Sequence, residues 1–338
     1  MMATLSRDLG IDLGTANTVV YARHEGVILR EPSWIARRTD DGEILAVGDE
    51  AKRMIGRTPG NIVASRPLRQ GVIADFETTT AMLAYFIRKG TSRRTLRRPL
   101  AVVGVPWGAT RVERKSFMEA VEQAGARQAT LVDQPLAAAI GAGLPIFEPV
   151  GSMIVDIGGG TTEIAVIALG GIVAAKSIRV AGDAMDTAII QHCRQAYNLY
   201  IGERTAEEIK IALGSAAPAS DQRTGEVRGR DIVSGMPRSV PISSPELREA
   251  LAGPVASIME AVRQTLELVP PELAADIGDR GITMVGGGSL LRGIDQVLAE
   301  ETGMTVTVGP DALSAVALGT GRVLEEFDRF QRIAPRTH

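Results

Sequence analysis

One short pattern constrains this chain more than any other, because it occurs twice. A strand ends in aspartate and turns back through glycines and threonines. The first copy is Gly10-Ile11-Asp12-Leu13-Gly14-Thr15-Ala16-Asn17-Thr18-Val19-Val20. The second, Met153 to Val166, reads Met-Ile-Val-Asp-Ile-Gly-Gly-Gly-Thr-Thr-Glu-Ile-Ala-Val. Each reads as strand, tight turn, strand, which is a β-hairpin. Glycine in the turn leaves no Cβ in the way, so backbone N–H groups can approach a phosphate closely. Thr15, Asn17, Thr161 and Thr162 are expected to contact the phosphates. Asp12 and Asp156, at the ends of apolar strands, are placed to hold a magnesium ion through water. A single hairpin of this kind reads as an ordinary surface turn. Two copies far apart suggest a duplicated fold whose halves grip one nucleotide from opposite sides. Neither copy is a dinucleotide fingerprint, because each glycine turn opens a strand and not a helix.

A length of 338 residues allows about two domains. Apolar content of 45% is enough to fill their cores, and a net charge of −3 gives no general attraction to nucleic acid. Cys193 is the only cysteine, which excludes a disulfide within the chain and fits a reducing cytoplasm. It falls in a helical pattern and reads as a small buried residue. His24, His192 and His338 are scattered, so no zinc site is visible. The N-terminus has no apolar signal region, and no apolar run is long enough to span a bilayer. Membrane contact is expected only at the surface.

Leu9–Leu13, Thr18–Ala22 and Gly26–Leu29 read as a meander. Residues 34–68 are too few for an independent core and read as a small subdomain on a larger one. Helices are expected over Thr78–Lys89 and Thr110–Ala124, with a continuous apolar strand at Leu100–Val105, as in a sheet covered on both faces. The strand Thr130–Val132 runs through Asp133-Gln134-Pro135 into a helix at Leu136–Gly141. Strand and helix in alternation indicate an α/β domain, and ligands bind at the carboxyl ends of such strands. The second half repeats the plan, with a strand at Ile172–Ile178 and a helix at Ala184–Tyr197. Thr205-Ala-Glu-Glu208 has capping-box spacing, which predicts a helix from Thr205 to Leu213. Residues 215–240 read as hairpins of a second insert. Ser244-Pro245 opens a long helix that Gly253-Pro254 should kink or break. Gly286-Gly287-Gly288-Ser289 joins the strand Ile282–Val285 to a helix expected over Leu290–Glu301, bringing backbone near a ligand. The last helix is expected over Asp311–Phe327.

The run from Arg93 to Arg98 holds four arginines, Arg93, Arg94, Arg97 and Arg98, around Leu96. Such a run reads either as a solvated loop or as a contact with anionic lipid, to which each basic residue contributes roughly 1 kcal/mol.

Together these motifs resemble the actin superfamily of ATPases and, within it, the bacterial actins of the MreB family, over nearly the whole chain. Asp12 to Asn17 is similar to the first phosphate motif of that family, Asp156 to Glu163 to the second, and Gly286 to Leu291 to the adenosine motif. Asp133–Gly141 and Ala312–Gly321 resemble its two connecting helices. Glu31-Pro-Ser33, Arg66-Pro67, Gly71 to Asp75, Gly202 to Glu207 and Pro270 to Leu273 are similar to MreB in particular. The resemblance implies an α/β, actin-like ATPase fold of two duplicated, ribonuclease H-like domains flanking a nucleotide cleft, each with a small insert. It divides the chain into IA (1–33, 69–148, 316–338), IB (34–68), IIA (149–184, 250–315) and IIB (185–249). It implies ATP or ADP with Mg²⁺ as ligands. Gly14, Thr15, Ala16 and Asn17 would bind the nucleotide from one side, and Gly158, Gly159, Gly160, Thr161 and Thr162 from the other. Gly286, Gly287, Gly288, Ser289 and Leu290, with Glu207 and Lys210, would take the adenosine. Gln134, Asp156, Asp12 and Thr161 would carry catalysis.

Two positions depart from the family pattern. MreB sequences usually carry two glutamates where this chain has Asp133 and Gln134. A neutral glutamine can orient an attacking water but is not an effective general base, so catalysis would rest on positioning and Mg²⁺. The family's membrane loop commonly has two adjacent apolar residues, whereas here Leu96 is followed by Arg97, which shifts weight to electrostatics. By resemblance the protein is expected to be cytoplasmic, peripheral at the inner membrane face through Arg93, Arg94, Leu96, Arg97 and Arg98. It is expected to assemble with itself into paired protofilaments, to work with cell-wall elongation proteins in maintaining rod shape, and not to bind nucleic acid. Rival readings are another filament of the superfamily, positioning plasmids or organelles, a chaperone of the DnaK type, a sugar or acetate kinase, and a scaffold that does not hydrolyse ATP. A chaperone would need a further substrate-binding domain, and a kinase an acceptor pocket with a catalytic base.

Overall fold

The structure is a computed structural model that describes residues 7–91, 97–218, 221–327, 329 and 330. Its organising feature is a pair of five-stranded sheets with the same wiring. In the first, Gly26–Pro32, Asn17–Ala22, Leu9–Leu13, Leu100–Val105 and Gln128–Asp133 lie side by side in that order. In the second the order is Gly171–Ile178, Thr162–Ala168, Ser152–Ile157, Ile282–Val285 and Val306–Val308. Within each sheet the first three strands form an antiparallel meander, and the last two join parallel to its innermost strand. The strands Leu100–Val105 and Ser152–Ile157 are buried along their whole length, as a sheet covered on both faces requires.

Each sheet carries a small lobe. Residues 34–68 form a three-stranded sheet, Ile44–Val47, Ile35–Arg38 and Ile62–Ser65, with the helix Asp49–Met54. Ala36, Ala46 and Ala51 make its small core, with Trp34, Met54 and Ala64 packed on them. The second lobe pairs Leu199–Tyr200 with the hairpin Thr224–Asp231 and Pro237–Ser243, beside the helix Glu203–Leu213.

Between the sheets cross two helices, Gln134–Ala142 and Ala315–Glu325, whose backbones nearly touch. A Cβ added to Gly141 would lie 1.7 Å from the Ala315 carbonyl oxygen, and one added to Gly319 1.8 Å from that of Ala137. Only glycine permits this approach. Ala137, Ala138, Ala139 and Ala315 keep the rest of the crossing thin, within a core shared by both sheets. The helix Ala315–Glu325 also packs on the first sheet, where Tyr21 donates its hydroxyl to Glu325 at 2.8 Å.

Several sequence expectations shift. The helix expected from Thr205 begins two residues earlier at Glu203, with Gly202 at its cap, so the Thr205–Glu208 capping box does not form. Pro254 does not break its helix, which runs unbroken over Ser244–Leu266. Its start is secured by Glu246, whose carboxylate accepts from the N–H (2.9 Å) and hydroxyl (2.8 Å) of Ser243. The helix expected over Leu290–Glu301 divides into a 3-10 turn, Gly287–Leu290, and a helix, Ile294–Thr302, that starts after left-handed Gly293 (φ 76°). Among the described residues no helix is long and apolar enough to cross a membrane.

Candidate functional site: a nucleotide cleft

The two hairpin turns close with the same bond. Gly14 N–H donates to the Asn17 carbonyl at 3.1 Å, and Gly158 N–H to the Thr161 carbonyl at 2.9 Å. In each half the chain beyond the hairpin's second strand returns to hold the turn. Ser33 N–H donates to the Ala16 carbonyl at 2.9 Å, and its hydroxyl to the Gly14 carbonyl at 2.7 Å. Gly182 and Asp183 N–H groups donate to the Gly158 and Gly159 carbonyls at 3.1 and 2.8 Å. The turns approach each other closely: a Cβ at Gly159 would lie 2.6 Å from that of Ala16, and one at Gly160 2.6 Å from the Thr15 hydroxyl oxygen. Thr15 in turn accepts from Gly71 N–H at 3.1 Å.

Between them opens a cavity of about 520 Å³, within the size of a small-molecule site. Its floor includes Asp12, Gly14, Thr15, Ala16 and Asn17 from one half and Asp156, Gly158, Gly159, Gly160 and Thr161 from the other. Gln134 reaches it from the start of a connecting helix; the cap position there is Asp133, whose side chain makes no bond to the helix and is paired with Arg114. Gly286, Gly287, Gly288 and Leu290 line the far end with Glu207 and Lys210. Exposed Ile211, Leu290 and Leu313 give that end an apolar rim suited to a flat aromatic base.

Two of the expected ligand residues do not reach the cavity. Thr162 is fully buried and donates its hydroxyl to the Val180 carbonyl at 2.7 Å. It begins a strand, where neighbouring side chains point to opposite faces, so Thr161 and Thr162 cannot both face the ligand. Ser289 is also buried, and its hydroxyl closes its own turn on the Gly286 carbonyl at 2.7 Å. The glycines beside it are needed for packing as well as for access. A Cβ on Gly286 (φ 81°) would lie 2.4 Å from Asp156 Oδ1, and one on Gly288 2.3 Å from Ile157 Cγ2.

The electrostatics fit a cation bound with an anion. Burial raises Asp12 to about 7, and burial followed by repulsion from Asp12 and Glu163 raises Asp156 to about 8. Two carboxylates at this depth become comfortable as anions only beside positive charge. Among the described residues no group of three or more His, Cys, Asp or Glu could hold a metal ion. Two carboxylates beside a cavity that admits phosphate fit Mg²⁺, which keeps several waters and takes further oxygens from phosphates. Behind the second turn, Glu163 is buried, raised to about 7 chiefly by that burial, and accepts from Ser177 (2.7 Å) and Trp107 N–H (3.3 Å).

Ion pairs complete the cleft. Arg66 pairs across it with Asp183 at 2.7 Å and Glu203 at 3.5 Å, stacked over Trp34. Lys52 pairs with Glu207 at 2.7 Å, and Lys210 with Asp186 at 2.8 Å while donating to the Gly182 carbonyl at 2.9 Å. Of these, Arg66, Glu203, Glu207 and Lys210 were singled out in the sequence; Trp34, Lys52, Gly182, Asp183 and Asp186 were not. Arg93, Arg94 and Leu96 of the basic run lie outside the described residues; Arg97 and Arg98 are exposed.

Two like-wired sheets, two crossing helices and a cavity between glycine turns define an actin-like ATPase fold. The comparisons with known proteins narrow it. The family model described as MreB/Mbl protein matches residues 6–332, and the chain belongs to that family. It is 51% identical to the cell shape-determining protein MreB of Escherichia coli (strain K12) over 96% of this chain and 94% of that one. It is 49% identical to the cell shape-determining protein Mbl of Bacillus subtilis (strain 168) over 97% and 98%. The crystal structure of MreB 5 of Spiroplasma citri bound to AMPPNP superposes with a TM-score of 0.92 at 36% identity, covering 97% and 99% of the two chains. A MamK double helical filament shares the fold, with a TM-score of 0.80 at 24% identity over 94% and 98%.

Proposed function

We propose that this chain is an ATP-binding, slowly hydrolysing protein that polymerises and, as filaments lying under the cytoplasmic membrane, organises cell-wall synthesis and maintains rod cell shape. One observation carries the nucleotide part of this reading: two glycine turns of identical closure face each other across one cavity, each with an aspartate of the preceding strand beside it. The MreB and Mbl relatives are named as cell shape-determining, and MreB5 of Spiroplasma citri has been crystallised with AMPPNP and with ADP. These names support the cellular part.

In this reading the backbone N–H groups and hydroxyls of Gly14 to Asn17 and Gly158 to Thr161 bind the phosphates. Asp12 and Asp156 hold Mg²⁺ through water. When bound, Mg²⁺ supplies the positive charge that the phosphates and the two carboxylates need. Gly286, Gly287, Gly288 and Leu290 face the adenosine with Glu207 and Lys210. Gln134 orients a water for in-line attack by accepting one of its protons while the amide NH₂ donates elsewhere. Subdomains IB (34–68) and IIB (185–249), capping IA and IIA, are the filament contacts, and closure of the cleft in the polymer brings Gln134 nearer the water. Arg93, Arg94, Leu96, Arg97 and Arg98 touch anionic lipid, and cell-wall elongation proteins are the partners.

Electron microscopy of the purified chain with Mg·ATP and without nucleotide tests this. Filaments that form with ATP are the expected result. A chain that stays monomeric with saturating Mg·ATP, at concentrations well above those in the cell, would leave a nucleotide-binding module and remove the cytoskeletal role.

A further inference from the structure

We propose that Lys52 is a positioning residue for the nucleotide: from the opposite side of the cleft it holds the Glu207 carboxylate at the adenosine end of the cavity, so that adenosine is fully gripped only when the halves are closed. The inference rests on the nucleotide reading and adds a residue that no motif of the sequence contains.

Lys52 lies on the helix Asp49–Met54 of one small lobe, and Glu207 on the helix Glu203–Leu213 of the other. Their Nζ and Oε2 atoms are 2.7 Å apart, and both side chains line the large cavity. The same pair also lines a second hollow with Asp49, Arg53, Arg204 and Glu208. The pair therefore forms a wall between the cavity and that hollow. Glu207 and Lys210, one turn apart, are held differently. Lys210 is fixed within its own half by Asp186 and the Gly182 carbonyl. Glu207 takes its cation from the other half. The two cations of its own helix, Arg204 and Lys210, are paired elsewhere, with Glu208 and Asp186. Without Lys52 the Glu207 carboxylate loses the one cation that holds it in this geometry and is free to turn to solvent or to its helical neighbours.

An ionised carboxylate is an acceptor only. What it can take from adenosine is a ribose hydroxyl or the exocyclic amine, and both are donors. Side-chain exposures of 31% and 29% mean that the pair adds little to fold stability, so its effect is on geometry. Arg66 bridges the same lobes deeper in the cleft, through Asp183 and Glu203, and keeps them together when Lys52 lets go.

The test is the release rate of radiolabelled Mg·ATP from the full-length chain, chased with unlabelled ATP at protein concentrations too low for filaments. Wild type is compared with Lys52→Met and with Lys52→Arg, which keeps the charge. The nucleotides are ATP, 2′-deoxy-ATP, 3′-deoxy-ATP and purine riboside triphosphate, each analogue lacking one donor. Lys52→Met should release ATP roughly fivefold faster, the size that an ion pair of this exposure allows. One analogue, the one lacking the donor that Glu207 accepts, should leave wild type and variant at the same rate. Lys52→Arg should restore most of the wild-type rate. Equal acceleration for all four nucleotides would reduce Lys52 to a general clamp and overturn the proposal, as would an unchanged ATP rate. Wild type that retains no ATP would instead sink the nucleotide reading itself. Should Lys52→Met fail to fold, Lys52→Gln is read against the same outcomes.

Discussion

Gln134 ends with its amide in the cavity, at the first position of its helix, while Asp133 occupies the cap. A neutral side chain there can orient water but cannot take its proton. Gln134→Ala should therefore lower phosphate release per polymerised subunit by at least about tenfold, the scale of a lost positioning contact. ATP binding and assembly should persist, so filaments should last longer. Phosphate release assayed at matched polymer mass decides it, and an unchanged rate would leave Gln134 with a purely helical role. Glu163 makes a different prediction. Its carboxyl is held near 7 in the folded chain, above the ordinary 4.5. Between those values the folded state keeps a proton that the unfolded state has released, so stability falls as pH rises through that window. Glu163→Gln removes this contribution, on the order of 1–3 kcal/mol at pH 8. Urea midpoints at pH 5 and pH 8 should converge in the variant relative to wild type. Equal pH dependence in the two proteins would show that Glu163 does not carry it. At this scale the sequence was legible where the candidate site is built from local turns. Asp12 and Asp156 end strands, Gly14 and Gly158 open the turns after them, and the repeat of that spacing is what brought these positions out of the sequence. Thr162 and Ser289 were misplaced because runs of similar residues hide which face each side chain takes. Lys52 and Asp186 carried no local signal, since lobe packing brings them to the cleft, and Arg66 stood out only by resemblance.

Among the elements, the crossing of Gln134–Ala142 with Ala315–Glu325 is the least tolerant of change. Gly319→Ala would drive a methyl into the Ala137 carbonyl, with its Cβ 1.8 Å away before any relaxation. Since alanine favours helix by about 1 kcal/mol over glycine, propensity alone would stabilise the variant. Overpacking should win, with a net destabilisation of roughly 1–3 kcal/mol. A guanidinium midpoint at or above wild type in Gly319→Ala would mean that the helices separate freely. The last helix, expected over Asp311–Phe327, is observed over Ala315–Glu325. The sequence missed the division at Gly293 and the continuity through Pro254. A helical pattern does not record a left-handed residue within it, and burial of Leu251, Val255 and Ile258 holds the proline-bearing turn in register. The residue before a helical run is a weak guide too: Gly202, with no side chain to cap, starts a helix whose expected cap was Thr205.

For the whole molecule, duplication was the most legible property, because each half repeats the same strand-and-turn sentence. Which lobe touches which across the cleft was not legible, since those contacts join residues more than a hundred positions apart, as in Arg66 with Asp183. Attachment to a surface belongs to this scale as well. Anionic vesicles should co-sediment the protein at low salt and release it at high salt, because the Debye length falls from about 10 Å at 0.1 M to about 3 Å at 1 M. Changing Arg93, Arg94, Arg97 and Arg98 together to Ser should abolish pelleting; a variant that still pellets would make the run a solvated loop. The path of the chain has one further consequence. The first sheet receives its covering helix, Ala315–Glu325, only after every strand of the second sheet has been laid down. On the ribosome, then, the half that starts first must wait, bare on one face, while the half that starts second is finished. The newborn chain is at greatest risk of clumping in that interval, and a chaperone would be most useful to it there.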